Sequence, residues 1–253
     1  PRSITGQDPT GTMPLNALTN PFDLVPLDDE TLLISDAGWN GILLVTTEGD
    51  VRDYASIPSP QGTDTPIDSV PTGMTLDVDG AVYVTTLTGF PHPPGAAAVY
   101  RILDSNGDGD ALDAGEVQLH IQHLNSATDV ALDVDGAFLV TEFSTDLGEL
   151  VETGYGRATE LPGRLIRWRS PDRALEVVAD GLVSPTAVAV TTTGRIFVSE
   201  EFAGNVIEIN PVSENPVSKA GIPVAVGLAA SASTACMFWG YYRVRPRWAK
   251  RFR

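Results

Sequence analysis

This chain is poor in the residues that do most enzymatic chemistry, and each shortage removes a class of function. Cys236 is the only cysteine in 253 residues and lies near the C-terminus. No intramolecular disulfide can therefore form, and thiol catalysis and cysteine-based zinc sites are excluded from the first two hundred residues. A region without cysteine is equally at ease in an oxidising compartment. Neither G-x-S-x-G nor H-E-x-x-H occurs, which removes the nucleophile-elbow hydrolases and the zincins. The three histidines are His92, His120 and His123. His120 and His123 are three apart on one expected strand, so they face opposite ways and do not suit a shared metal. His92, set between prolines, is either a proton-transfer group or a surface loop residue. No glycine loop leads from a strand into a helix, so no phosphate cradle is expected.

Basic residues are scarce except at the end. The net charge is −17, yet six of the 16 basic residues fall within Arg243–Arg253, leaving 33 acids against 10 bases over the rest. Such a surface repels nucleic acid and anionic lipid and suits a soluble region that attracts cations. No long stretch before residue 215 carries helical periodicity. With 24 glycines and 19 prolines, the composition favours many short strands and turns. The expected class is all-β.

What the chain has in abundance is repetition. PTGMTLDVDGAVYVTTLTGF from Pro71 returns as TDVALDVDGAFLVTEF from Thr128, as TAVAVTTTGRIFVSEEF from Thr186, and more loosely as FDLVPLDDETLLISDAG from Phe22. Each copy alternates apolar and polar residues on both sides of a tight turn, the pattern of paired strands. A period of 50 to 58 residues with four strands per copy predicts a β-propeller. The four blades are placed at 20–58, 70–124, 127–181 and 184–210. Residues 1–19 form an N-terminal segment, 211–220 a polar linker, and 221–253 a hydrophobic and basic tail. The fourth copy shows only three strands, and the chain opens on Pro-Arg-Ser without an initiator Met. These features lead to the expectation of an open arc, part of a six-bladed propeller, and of a processed chain or a fragment.

Several segments resemble one family. They are Asn20-Pro-Phe-Asp-Leu-Val with Leu33-Ile-Ser-Asp-Ala-Gly, Val70-Pro-Thr-Gly, Leu87-Thr-Gly-Phe-Pro-His-Pro-Pro-Gly-Ala, and Gly163-Arg-Leu-Ile-Arg. Over residues 20 to 210 the chain is similar to the ScyD/ScyE family of NHL-like propellers, named for genes associated with scytonemin biosynthesis. The resemblance implies a secreted or periplasmic, extracytoplasmic protein and two further copies upstream of Asn20. It does not supply a reaction.

Strand direction sorts the loops. If Pro71 opens the innermost strand at the top face, the loops after each second strand are also at the top, and two of them are long. They carry Phe90, His92 and Tyr155, and they form the expected binding surface for an unknown small molecule or protein. Aligned copies bring Asp23, Asp36, Asp129, Glu142 and Glu200 to that end. Either they ring an axial site for a hard cation or polar ligand, or each accepts hydrogen bonds from backbone amides of its own loop.

The segment Asp104-Ser-Asn-Gly-Asp-Gly-Asp-Ala-Leu-Asp-Ala-Gly-Glu116 places oxygen ligands at Asp104, Asn106, Asp108 and Asp110, with Asp113 and Glu116 beyond. The spacing matches the opening of a calcium loop but not its close, and the flanks read as strands, so a structural calcium loop on a hairpin is expected. The alternative is a solvated acidic turn. Residues 221–242 carry no charge and precede the basic end, which fits membrane association through a C-terminal anchor; a buried helix or an abnormal C-terminus is the alternative.

Two functional readings follow. One is an extracytoplasmic binding or assembly propeller without catalysis. The other is a divalent-metal-dependent hydrolase of the senescence-marker-protein or gluconolactonase type, in which an axial metal polarises a lactone. Convergence of the axial acids on one point separates them.

Overall fold

The computed structural model describes residues 19–60 and 66–210. The expected N-terminal segment, apart from its last residue, and the linker and tail from 211 onward lie outside them. The described chain folds into four antiparallel meanders. Blade 1 comprises β1 (Pro21–Pro26), β2 (Thr31–Asp36), β3 (Gly41–Thr46) and β4 (Val51–Ser56). Blade 2 comprises β5 (Pro71–Leu76), β6 (Val82–Thr86), β7 (Ala97–Ile102) and β8 (Val117–Leu124). Blade 3 comprises β9 (Ala127–Leu132), β10 (Phe138–Glu142), β11 (Gly163–Trp168) and β12 (Glu176–Leu182). Blade 4 comprises β13 (Pro185–Val190), β14 (Ile196–Glu200) and β15 (Asn205–Ile209). Each of the four sequence repeats folds into one blade.

The inner strands pack in sequence, β1 on β5, β5 on β9 and β9 on β13, while among the described residues β1 and β13 share no comparable contact. Strand alternation gives each blade two apolar faces, and neighbouring blades interdigitate them. Leu33, Ile42 and Leu44 of blade 1 meet Met74, Val84 and Tyr100 of blade 2. Tyr83, Val99 and Ile121 meet Val130, Phe138 and Val140. Leu139, Leu165 and Leu182 meet Val188, Ile196 and Val198.

A fourth apolar cluster sits where the inner strands begin. The long loop after β10 contains α1 (Leu147–Thr153), capped by the Asp146 side chain, which accepts from the Glu149 amide. Leu147 and Leu150 of α1 join Ala37, Leu87, Phe143 and Ala158, flanked by Phe22, Val70 and Val183, and Phe202 of blade 4 meets Phe143 with ring centres 5.9 Å apart. Gly148 lies so close to the Pro91 carbonyl that a Cβ would stand 2.5 Å from it. The two long loops of blades 2 and 3 are thereby packed onto one another.

Candidate functional site at the inner strands

The third residue of each repeat occupies equivalent positions on β1, β5, β9 and β13: Asp23, Gly73, Asp129 and Ala187. Asp23 uses both carboxylate oxygens on backbone, Oδ1 accepting from the Leu24 amide at 2.8 Å and Oδ2 from the Met74 amide of blade 2 at 2.8 Å. Asp129 repeats this two seams later, Oδ1 accepting from Val130 and Oδ2 from Val188 of blade 4, each at 2.8 Å. Each aspartate therefore holds the next blade by a hydrogen bond from its backbone.

Gly73 explains why the middle repeat has no third acid. An ideal Cβ on Gly73 would lie 2.6 Å from the Asp129 Cα and closer still to its Oδ1. The Asp129 carboxylate occupies the space that a blade 2 side chain would need. Burial pushes the Asp129 carboxyl well above the usual range, and the neighbouring charge of Asp23 adds to the rise against the two amides that oppose it. Asp23 is raised as well, by burial first, with the Met74 and Leu24 amides opposing. The two acids are thus electrostatically coupled neighbours.

Threonines hold the seam that Gly73 leaves without an aspartate and reinforce that of Asp129. Thr72 Oγ1 donates to the Ala127 carbonyl and Thr128 Oγ1 to the Pro185 carbonyl, each at 3.0 Å, and both side chains are fully buried. Blade 1 carries Phe22 at this position and joins the apolar cluster instead.

The other three acids do a different job. Asp36 Oδ1 accepts from the amides of Asn20 at 2.7 Å and of Gly38 and Trp39 at 3.0 Å. Glu142 Oε1 accepts from the Asn125 amide at 2.6 Å while its Oε2 pairs with Arg164. Glu200 Oε1 accepts from the Val183 amide at 2.6 Å. Each ends a second strand and ties down the residue just ahead of its own blade's inner strand. Burial raises the Asp36 carboxyl against these amides. Of the five acids, only Asp23 and Asp129 are coupled neighbours across the inner strands. Among the described residues no three His, Cys, Asp or Glu side chains come together to hold a metal ion.

The acidic segment joins β7 to β8 and leans on blade 1. Ala111 is buried and its amide donates to the Tyr54 carbonyl at 2.7 Å, while Arg52 Nη2 donates to the Gly109 carbonyl at 3.0 Å. Within the loop Asp104 accepts from the Gly107 and Gly109 amides at 2.6 and 2.8 Å, and Asn106 Oδ1 from the Asp108 amide at 2.8 Å. Asp108 and Asp110 each accept from the amide two residues on. Glu116 accepts from the Ser105 amide and hydroxyl at 2.8 and 2.9 Å, and the Ser105 amide is the main reason its carboxyl lies below the ordinary range. Asn106 Nδ2 donates to Asp113 at 2.7 Å and to Asp108 at 3.2 Å. It bridges two carboxylates much as a cation would.

Of the expected binding-loop residues, Phe90 projects from its loop, 48% exposed. His92 turns its Nδ1 to the Thr88 carbonyl at 2.8 Å, and burial lowers its pKa. Tyr155 packs against Phe202 with ring centres 5.3 Å apart and belongs to the apolar cluster. His120 lies among Tyr83, Phe138 and Trp168, with ring centres 4.7 to 5.0 Å away, so it is a packing residue of the blade 2 and 3 seam.

No family model and no curated protein matches the sequence. Solved structures do match. An aldose sugar dehydrogenase from Streptomyces coelicolor, in its PQQ-bound form, is 17% identical over 85% of this chain and 66% of its own, with a TM-score of 0.57. The chain is a β-propeller. A protein of unknown function from Bacteroides caccae is 16% identical over 80% of this chain and 61% of its own, with a TM-score of 0.50. Regucalcin, a calcium-binding protein from Agrobacterium tumefaciens, is 15% identical over 75% of this chain and 58% of its own, with a TM-score of 0.46. The chain spans less than two thirds of the length of each of these proteins. Likeness at this level shows the fold alone.

Proposed function

We propose that this chain is a binding or assembly propeller of ScyD/ScyE type that works outside the cytoplasm, with the loops at the inner-strand entry meeting a small-molecule or protein partner. The observation that carries this reading is the employment of the acids. Asp23 and Asp129 spend both oxygens on backbone amides. Asp36, Glu142 and Glu200 tether strand entries. The acidity of the axis is accounted for by scaffold contacts, and exposed Phe90 is the apolar handle left at the loop end. The strongly acidic described region argues against a nucleic-acid partner.

The hydrolase reading keeps one point in its favour, the coupled pair Asp23 and Asp129, which with a divalent ion could polarise a lactone carbonyl. Incubation of the protein with simple aldonolactones and calcium, magnesium, manganese or zinc separates the two. The binding reading predicts no hydrolysis above buffer. Metal-dependent turnover that Asp129→Asn abolishes would replace it with the hydrolase.

The loop from Asp104 to Glu116 is the part of the reading that involves a cation. Its donors are hard oxygens, suited to calcium, and Asp104, Asn106, Asp108 and Asp110 would hold the ion with Asp113 or Glu116 closing the set. The ion would take over from the Asn106 amide between Asp108 and Asp113. Its role would be structural, stiffening the seam where Ala111 meets Tyr54. Binding at a hundred times the dissociation constant stabilises a fold by about 2.7 kcal/mol, so millimolar calcium should raise Tm and chelator should reverse it. Calorimetry without calcium heat, or a Tm response that survives Asp104→Ala/Asp108→Ala, would leave the loop a plain turn.

Membrane association is proposed only for residues 221–253, which lie outside the described residues. Among those described, no helix is long and apolar enough to cross a membrane. Sedimentation with lipid vesicles of the full chain, but not of a chain ending at residue 210, would support the anchor; equal behaviour would remove it.

A further inference from the structure

The seam between blades 2 and 3 differs from the other two in what fills its outer half. Two rings of blade 2, Tyr83 on β6 and His120 on β8, meet two rings of blade 3, Phe138 on β10 and Trp168 on β11. The His120 ring centre lies 4.9 Å from that of Tyr83, 5.0 Å from Phe138 and 4.7 Å from Trp168. Tyr83 and Phe138 close the group at 4.5 Å. Of the three histidines only His120 is packed into a seam, since His123 is exposed and His92 sits in the loop after β6.

His120 Nε2 is buried and, among the described residues, meets no hydrogen-bond partner. A neutral imidazole can leave an acceptor nitrogen there, but the imidazolium carries a proton on both nitrogens and so buries a charged donor without an acceptor. The surroundings offer it no free counter-charge. β8 bears no acid, and its other histidine is exposed. β6 and β7 bring Tyr83 and Arg101, and Arg101 is a cation already paired with Asp79 at 2.8 Å. Blade 3 brings the uncharged Phe138 and Trp168, with Leu132 and Leu175 packed against the same cluster. The arginines on either side of Trp168, Arg167 and Arg169, are paired with Asp133 and Asp135. Burial accordingly lowers the His120 pKa, and the Arg101 charge lowers it further.

We propose that His120 is a proton-operated latch on this seam, joining blade 2 to blade 3 as a fourth ring when neutral and leaving the cluster for water when protonated in mildly acidic solution. The inner edge of the seam is held separately, by Thr72 Oγ1 on the Ala127 carbonyl at 3.0 Å and by the fit of Asp129 against Gly73. Protonation therefore opens the outer half locally and does not unfold the chain. A histidine whose folded pKa is depressed contributes its full stability above the unfolded value near 6.5, and that contribution is lost as pH falls from there through the folded pKa. Asp23, Asp36 and Asp129, whose carboxyls burial raises, act in the opposite direction as pH falls, and burial lowers His92 as it lowers His120. Comparing the parent with a variant at His120 alone cancels all of these.

His120→Phe keeps a ring in the cluster and removes the titration. Thermal melts of parent and variant from about pH 7.5 to about pH 5 span the ordinary histidine range. The parent is expected to lose more Tm over that interval than His120→Phe. Imidazole NMR of the parent should give a His120 midpoint below the ordinary value of 6.5. Amide exchange, corrected for its intrinsic dependence on pH, should show β8 and β11 losing protection in the parent as pH falls while β2 and β14 keep theirs. If the variant does not fold, the midpoint and the exchange pattern of the parent still decide. A His120 midpoint at or above 6.5 would mean that the surrounding rings hold the cation, and it overturns the proposal. Parallel Tm curves for parent and His120→Phe, or constant protection of β8 and β11, overturn it equally.

Discussion

Gly73→Ala tests the close packing of the inner strands with the least chemical change available. The new methyl would lie 2.6 Å from the Asp129 Cα and overlap its carboxylate, and a backbone atom cannot rotate away as a side-chain end can. Relieving the overlap means moving β5 away from β9 or expelling the Asp129 carboxylate from its place on the Val188 amide. Overpacking of a tight core costs about 1–3 kcal/mol. Loss of the hydrogen bond costs about 0.5–1.5 kcal/mol more. For a domain of this size each kcal/mol lowers Tm by about 2–4 °C, so a fall of about 10 °C is expected by differential scanning fluorimetry or calorimetry. Gly156→Ala is the control, since a Cβ there meets nothing within 4 Å, and it should change stability by less than about 0.5 kcal/mol. The double variant Gly73→Ala/Asp129→Ala should be less destabilised relative to Asp129→Ala than Gly73→Ala is relative to the parent, because the carboxylate part of the overlap is gone. A Gly73→Ala protein that melts with the control would refute the packing argument.

Three further outcomes follow from the same geometry. Thr128→Val keeps the shape of a fully buried side chain but leaves the Pro185 carbonyl without its donor, which should cost about 1–3 kcal/mol in urea unfolding; an unchanged midpoint would deny the threonine its seam role. Asp129 holds its proton more tightly folded than unfolded, so its charge costs stability above the raised pKa, and that cost is relieved as pH falls toward the ordinary aspartate value of 3.8. Asp23→Asn removes the adjacent charge and should lower the Asp129 titration midpoint in carboxyl NMR, whereas an unmoved midpoint would mean that the two acids are not coupled. Glu142→Ala leaves the Asn125 amide without its acceptor and Arg164, itself partly exposed, without its partner and should destabilise by about 1–3 kcal/mol; a neutral result would show the contact to be unimportant.

The fold was legible because one phrase recurs with its turn residues in place, and alternation about Asp77–Gly80 and Asp133–Gly136 fixes strand direction. α1 falls in a stretch whose sequence reads as a long loop, yet its signal is present. Asp146 with Glu149 three residues on is an N-terminal capping pattern, and Leu147, Leu150 and Val151 have helical spacing. The axial acids were visible as aligned positions, but their roles were not. Whether a carboxylate meets a cation or the amide of the next blade depends on interblade distance, which no single repeat encodes. The one clue was the glycine at position 73, which makes sense only once Asp129 is known to fill its place. Docking of the acidic loop on Tyr54 was likewise invisible, since Ala111 reads as an ordinary loop residue until blade 1 is beside it.

Amide hydrogen exchange at Met74 and Val188 tests most directly whether Asp23 and Asp129 are clamps between blades. Removal of an acceptor speeds exchange at the amide it held. Asp23→Ala should deprotect Met74 and spare Val188, and Asp129→Ala should do the reverse, each with a lowered Tm. Unchanged protection at both amides, with stability intact, would contradict the account and return the two acids to the role of ligands for a bound ion.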